Sequence, residues 1–353
     1  MDIKSIPTPA LIIDEKTFKQ NAERMKEILK GSSLKLRPHF KSHKCAAIAH
    51  EQVRDGAIGI TCAKLTEAID LADSGIDDIL IANQIVDKEK ISKLAHLANA
   101  CHLTVCVDDK QNVADIENAA ALANSTVYCL IEYDIGMERC GLSRKEDVAD
   151  LAAFINSCSH LVFSGIQAYA GHISHTVSLE ERKEQTFKNT ERIKELIEFL
   201  SSKDIDVKVL SGGSTGTSVI KARQELYTEL QAGSYLFMDA TYNELNLPFL
   251  PSLFVLSTVV SVNEKIAVVD AGVKSCGVDQ GMPVPKDFSV SHVVSSEEHF
   301  QLHNPTKKLR VGDKVLLSPA HCCSTVNLHN KIYVVTDGKV LNRYLVTARG
   351  CFH

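Results

Sequence analysis

Three apolar, β-branched runs, Ile79-Leu80-Ile81, Leu103 to Val107 and Val127 to Ile131, begin 24 residues apart, and no other feature limits the fold of this chain as tightly. A strand, a returning helix and their loops fill about that length, so the repeat predicts parallel strands joined by helical crossovers. Leu161 to Phe163 and Val207 to Leu210 continue the series. Between the runs, Ile91, Leu94, Ala95 and Ala98 fall at i, i+3, i+4 and i+7, as do Ile193, Leu196, Ile197 and Leu200. That is the stripe of a helix packed on a sheet. Phe18, Ala22, Met25 and Leu29 give a similar face near the start. Roughly eight such units fit before residue 250, which favours an α/β fold of the (β/α)8 TIM-like barrel type over an open, doubly wound sheet. The first unit also lacks a Rossmann glycine fingerprint.

After Pro248 the pattern changes. Leu253 to Val262, Ile266 to Val269, Val315 to Leu317, Ile332 to Val335 and Tyr344 to Val346 read as strands separated by turns such as Val311-Gly312-Asp313 and Asp337-Gly338. The expectation is a barrel over residues 14–250 and a second, C-terminal β-rich domain over 251–353, with residues 1–13 pairing into the latter.

Composition narrows the function. A net charge of −5 gives no basic footprint for nucleic acid. No uninterrupted apolar stretch of about 18 residues is present, and Met1 to Asp14 has no apolar run behind a basic start. The expectation is a cytoplasmic protein with neither a nucleic-acid nor a membrane partner. Eleven cysteines, an odd number scattered along the chain, fit reduced thiols better than a disulfide framework.

Three polar clusters could carry chemistry. Arg37-Pro38-His39-Phe40-Lys41-Ser42-His43-Lys44 follows Leu34 to Leu36, at what would be the C-terminal end of an early barrel strand. Barrel active sites lie at that end, and partial burial among cations suits a lysine to Schiff-base chemistry. A solvated basic turn is the plain alternative. Ser211-Gly212-Gly213-Ser214-Thr215-Gly216-Thr217 follows Val207 to Leu210 and could cradle a phosphate on backbone N–H groups, or be an ordinary connection. Ser318-Pro319-Ala320-His321-Cys322-Cys323 ends a C-terminal strand. In an extended segment His321 and Cys323 face the same way, and imidazole plus thiolate suits zinc with positions left open for water and substrate. A buried histidine near two buried cysteines is the alternative.

Taken in order, these clusters resemble the D-threonine aldolase and D-serine dehydratase family of fold-type III pyridoxal phosphate (PLP) enzymes, related to the alanine racemase barrel. The resemblance spans nearly the whole chain. It runs from Thr8-Pro9-Ala10 through Arg37 to Lys44, Glu132 to Gly141, Gln167 to His172, Ser211 to Gly216, Gly233-Ser234-Tyr235 and Asp270-Ala271-Gly272 to His321 to Cys323. It implies that Lys41 is the Schiff-base lysine and the catalytic residue. It places His39, Arg139, Gln167 and Tyr169 at the cofactor, with Arg139 beside the ring and Tyr169 facing the pyridine nitrogen. Gly213, Ser214 and Thr215, with Gly233, Ser234 and Tyr235, would hold the phosphate. Arg139 could instead form a structural ion pair, Tyr169 could be a core tyrosine and Gln167 could cap a strand. Glu297, Glu298 and His299 read as a solvated loop.

Members of the family pair a histidine with Cys or Asp two positions later as metal ligands. His321 and Cys323 match the Cys form, which resembles the D-serine dehydratase branch; zinc suits a thiolate better than the alternative, manganese. The resemblance thus implies a PLP- and metal-dependent lyase acting on a D-β-hydroxy amino acid, with D-serine dehydratase first. D-threonine aldolase and 3-hydroxy-D-aspartate lyase are the alternatives, and the family suggests a homodimer. A PLP-binding homeostasis protein without defined turnover is the reading from another class, set against the hundred residues after Phe249. An amino-acid racemase would have no use for the metal pair.

Overall fold

In the computed structural model, which describes residues 1–353, the chain divides into two compact units. One comprises 28–41, 48–233 and 351–353, the other 1–27, 42–47 and 234–350.

The first unit is an eight-stranded parallel barrel. Its strands are Lys35–Leu36, Ile60–Cys62, Asp78–Ile81, His102–Val107, Val127–Glu132, Leu161–Ala168, Val209–Gly212 and Glu229–Leu230. From Ile60–Cys62 onward each pairs with the next, and Glu229–Leu230 then pairs with Lys35–Leu36. A parallel bridge from His39 to Thr61 closes the ring, supported by Ile58 N donating to Leu36 O and Thr61 N to Pro38 O. This is the (β/α)8 architecture that the 24-residue interval predicts. The helices behave as their stripes require: Ile91, Leu94 and Ala95 are buried on Lys88–Leu97, and Ile193, Leu196 and Leu200 on Leu179–Ser201. Asp87, Asp109 and Ser178 cap three of the helices by accepting from an N–H in the first turn, which satisfies a donor that the helix leaves unpaired.

A buried ion pair ties the ends of the barrel sheet together. The Arg37 guanidinium meets Asp78 at 2.6 Å and Glu229 at 2.9 Å. Burial opposes its charge, but the two carboxylates outweigh burial and hold its pKa above the ordinary value. Gly59 makes room: a β-carbon there would lie 2.3 Å from Arg37 Nη1 and 2.7 Å from Asp78 O, at a φ of +154° that disfavours a side chain. Removing one partner of a buried pair leaves the other charge uncompensated. Arg37→Met is therefore expected to lower unfolding free energy by about 3–5 kcal/mol, read as an earlier denaturant midpoint. A midpoint within error of the parent would show that the pair contributes nothing net.

The second unit is built on a nine-stranded sheet. Ala10–Asp14 lies antiparallel to Leu253–Val262, with Ala10 opposite Leu256, and parallel to Lys331–Thr336, with Leu11 opposite Ile332. Ile6, Ala10, Ile12, Leu256, Tyr333 and Val335 form a core on one face. The last strand is Lys339–Leu345, starting earlier than Tyr344 and ending before Val346. A hairpin of His292–Ser295 and Phe300–His303 is present where the sequence pattern gives no strand. Each of its strands has four residues, and only Phe300 and Leu302 are buried, so the apolar alternation is too short to register. Glu297, Glu298 and His299 form the exposed turn of this hairpin, where Lys274 Nζ reaches Glu297 at 2.8 Å and Glu298 at 3.0 Å.

Candidate active site

The polar residues of the barrel unit gather at the C-terminal ends of its strands, the face on which barrel enzymes carry their chemistry. Lys41 lies in a one-turn 3-10 helix, Phe40–Ser42, just beyond the strand Lys35–Leu36. Its backbone N–H donates to His39 Nδ1 at 3.3 Å, which fixes the turn from within. The Lys41 side chain is half-buried, and Nζ sits 5.8 Å from the centroid of the Tyr169 ring. The Arg139 guanidinium lies at the same 5.8 Å from that ring. Tyr169 thus has two cations against it, a lysine amine and a half-exposed arginine.

Arg139 is aimed by a chain of carboxylates and amides. Glu132, buried at the end of Val127–Glu132, holds an ion pair with Arg139 at 3.7 Å and accepts from Gln84 Nε2 at 2.6 Å. Burial pushes the Glu132 carboxyl above its usual range, against the Gln84 hydrogen bond and the Arg139 charge. Gln84 also donates to Asp108, whose carboxylate accepts the Gly141 N–H at 2.7 Å. The intervening loop is wound on Asp134, which accepts the N–H groups of Gly136, Met137 and Glu138. Arg139 is therefore both ion-paired and placed against an aromatic face.

Gln167, near the end of Leu161–Ala168, is 2% exposed and committed to Gln231, with the Gln231 amide donating to it at 2.6 Å and also to Ser211 Oγ at 2.9 Å. Gly213, Ser214 and Thr215 follow Val209–Gly212 in a tight turn where Ser214 N donates to Thr217 Oγ1. Thr215 is 1% exposed and its hydroxyl has no hydrogen-bond partner. An orphaned buried hydroxyl on a glycine-rich loop is what a phosphate oxygen would satisfy, so this loop fits the phosphate of PLP. A half-buried lysine against an aromatic ring at the same barrel end fits the group's aldehyde carbon.

Gly233 belongs to the barrel unit, whereas Ser234 and Tyr235 begin the stretch assigned to the second. There Ser234 hydrogen-bonds the Cys322 sulfur, and the Tyr235 ring packs on Phe249 with centroids 5.9 Å apart.

The second unit holds His321 and Cys323, but not in the extended segment the sequence suggests. His321 is extended, with φ −139° and ψ 114°, and Cys322–Val326 is a short helix that it caps. The Cys322 N–H is taken by Asp239, which uses its other oxygen to cap a second short helix through Tyr242 N. That long-range capping carboxylate stabilises a turn that local sequence does not signal. Burial pushes Asp239 up to about 6, against the two N–H donors. Cys322 is fully buried; its hydrogen bond with Cys323, together with burial, holds its thiol well above the ordinary value, so it stays protonated as an anchor.

His321 Nδ1 meets Asp279 at 2.6 Å, and Asp279 also accepts from Ser324 Oγ at 2.6 Å. Burial disfavours the imidazolium, yet contact with Cys323 and Asp279 outweighs it and raises His321 to about 9. Burial likewise opposes the Asp279 charge, but hydrogen bonds from Ser324 and His321 keep its pKa below the usual carboxylate value. A carboxylate on Nδ1 orients a histidine so that Nε2 can serve a metal. Cys323, whose sulfur contacts Ser42 Oγ at 3.7 Å, adds a soft donor. His321 and Cys323 thus offer an imidazole and a thiolate, a donor pair of the kind zinc takes. Asp279 and Asp239 are the partners that sequence spacing missed, because each acts on a residue brought near by folding, 42 and 83 positions away.

No helix is long and apolar enough to cross a membrane. The sequence profile of the alanine racemase N-terminal domain matches residues 13–241, and that of a putative serine dehydratase domain matches residues 252–335. The 3-hydroxy-D-aspartate aldolase of Paracoccus denitrificans is 35% identical over 99% of this chain and 94% of its own length. The D-threonine aldolase of an Arthrobacter species is 35% identical over 98% of this chain and 93% of its own. The crystal structure of D-threonine aldolase from Filomicrobium marinum superposes with a TM-score of 0.97 at 35% identity, covering 99% of this chain and 98% of that one. With a barrel lysine, an arginine-backed aromatic and whole-length kinship of this kind, the chain belongs to the D-threonine aldolase and D-serine dehydratase family of fold-type III PLP-dependent lyases.

Proposed function

We propose that the protein cleaves D-β-hydroxy amino acids in the retro-aldol direction, giving glycine and an aldehyde. The observation that carries this reading is kinship over essentially the whole chain, at 35% identity, with relatives named as aldolases. PLP, when bound, supplies an electron sink for the charge left on Cα when a bond to it breaks. A zinc ion, when bound at His321 and Cys323, supplies a Lewis acid for the substrate's β-hydroxyl. Lys41 would hold the cofactor, and its Nζ would hold or deliver a proton at the substrate's Cα. Arg139, steadied by Glu132, would supply a positive charge to the cofactor, while the Thr215 hydroxyl and the Gly213 loop would bind its phosphate.

A second reading, β-elimination of the D-serine dehydratase type, is favoured by one residue. Cys323 occupies the position where the family's dehydratase branch carries Cys and its aldolase branch Asp. A polarised hydroxyl can lose its proton or leave outright, and base placement decides between them. The test is a product assay of the zinc-loaded protein on D-threonine, D-serine and 3-hydroxy-D-aspartate, with a chelator control. Glycine plus an aldehyde, lost with chelator, is the expected result. Keto acid plus ammonia would replace the aldolase reading with the dehydratase one. No product from any of the three would favour a PLP-binding protein without turnover on this substrate class.

A further inference from the structure

Behind the glycine-rich loop, the barrel unit buries a lysine that none of the chemistry above uses. Lys221 closes the short helix Ser218–Lys221 and is 5% exposed. Its Nζ sits 3.4 Å from the centroid of the Tyr227 ring, and its stem presses on the loop. A β-carbon at residue 213 would lie 2.8 Å from Lys221 Cδ, and Gly213 holds φ +77°, so only glycine serves there. Beside it is a small cavity lined by Gly213, Thr217, Lys221, Thr186, Asn189 and Ile173.

No carboxylate lines that cavity. The helix Leu179–Ser201 contributes Thr186 and Asn189, the turn Gly171–Ile173 contributes Ile173, and the loop contributes Gly213 and Thr217. The one titratable group against the amine is the Tyr227 phenol, which burial pushes up and which stays neutral, donating to Ala168 O. Burial alone lowers Lys221 to about 7. Two polar atoms nearby also lack partners: Asn189 Nδ2 in the cavity wall and Thr215 Oγ1 in the loop.

An unpaired buried ammonium is costly, so without a counter-ion the amine tends to give up its proton, and a counter-ion brought close would restore it. Here the group that presses on the amine's stem is the loop assigned to phosphate. We infer that Lys221 is the buried counter-charge for a phosphate group held by the Gly213–Thr215 loop, taking a proton from solvent when the phosphate binds. The inference rests on reading that loop as the phosphate site. It gives Lys221 a positioning role, acting through space on the cofactor's anchor and taking no part at the reacting carbon.

The test is calorimetric titration of the full-length protein, freed of cofactor, with inorganic phosphate at pH 7.5 in two buffers of different ionisation enthalpy. An amine near 7 that becomes fully charged takes up roughly three-quarters of a proton at that pH. The parent protein is expected to show that uptake in excess over Lys221→Met, and to bind phosphate about tenfold more tightly, the equivalent of one pKa unit. Lys221→Arg, charged throughout, should keep the affinity without the extra uptake. Far-ultraviolet circular dichroism checks that both variants fold. Equal affinity and equal uptake in parent and Lys221→Met would overturn the counter-charge. Failure of all three proteins to bind either phosphate or PLP would overturn the loop assignment instead.

Discussion

Lys41→Ala is expected to abolish the near-visible absorbance of a lysine-linked cofactor and to lower turnover by at least about 10⁴-fold, the upper range for losing a positioned acid–base group. Two losses combine in this residue, the covalent anchor and the proton carrier at Cα. Its setting makes the experiment clean. The side chain is half-buried, and its amine lies 5.8 Å from the centroid of the Tyr169 ring. The turn is held by the Lys41 backbone N–H donating to the His39 ring at Nδ1, not by the Lys41 side chain, so alanine leaves it intact and the melting temperature should scarcely move. Arg139 and the Gly213–Thr215 loop would remain to bind PLP non-covalently, so dialysis should now strip the cofactor that the parent retains. Lys41→Arg separates the two roles: it keeps a cation against Tyr169 but cannot form the imine. Absorbance and turnover that survive in Lys41→Ala would move the anchor to another amine and remove the basis for the proposed chemistry.

The barrel was legible because its signal is local and repeated. Strand runs at a fixed interval and helical stripes need no partner to be read, and both appear where the periodicity puts them. The sites were legible only in part, for a physical reason. Lys41, Gly213 and His321 stand in dense clusters of unusual residues, whereas the groups that orient functional side chains come from afar. Glu132 acts with Gln84, 48 residues away, and Asp279 reaches His321 across 42. Nothing in the composition around Asp279 marks it, and its carboxylate acquires a role only once the short helix at Cys322 has formed. The local sequence reads as extended there, since the helix start is stabilised by Asp239 from 83 residues earlier and by no local capping side chain. Lys221 shows the same limit. In the sequence it is an ordinary lysine, and folding alone removes it from water.

The metal pair gives the other large effect. His321→Ala and Cys323→Ala are each expected to lose the bound ion on dialysis and to lower turnover on the order of 100-fold or more, corresponding to about 3 kcal/mol of Lewis-acid stabilisation. The cofactor absorbance, which depends on the barrel lysine, should persist in both. Asp279→Asn supplies the graded comparison. It keeps both ligands but exchanges the carboxylate that accepts from His321 Nδ1 for an amide, so metal affinity should fall about 10–100-fold while saturating metal restores activity. Cys322→Ala is the matched control, because that sulfur is fully buried and stays protonated as an anchor. It should cost some stability through lost packing but leave metal content unchanged. Metal content measured after dialysis distinguishes these outcomes without reference to substrate. A Cys323→Ala protein that held its ion and full activity would exclude the thiolate as a ligand, and with it the one residue that favours elimination over carbon–carbon cleavage. A Cys323→Asp variant carries the argument further. It restores a ligand of the aldolase type, so a rise in the ratio of glycine to keto acid would show that the ligand at this position governs which bond of the substrate breaks.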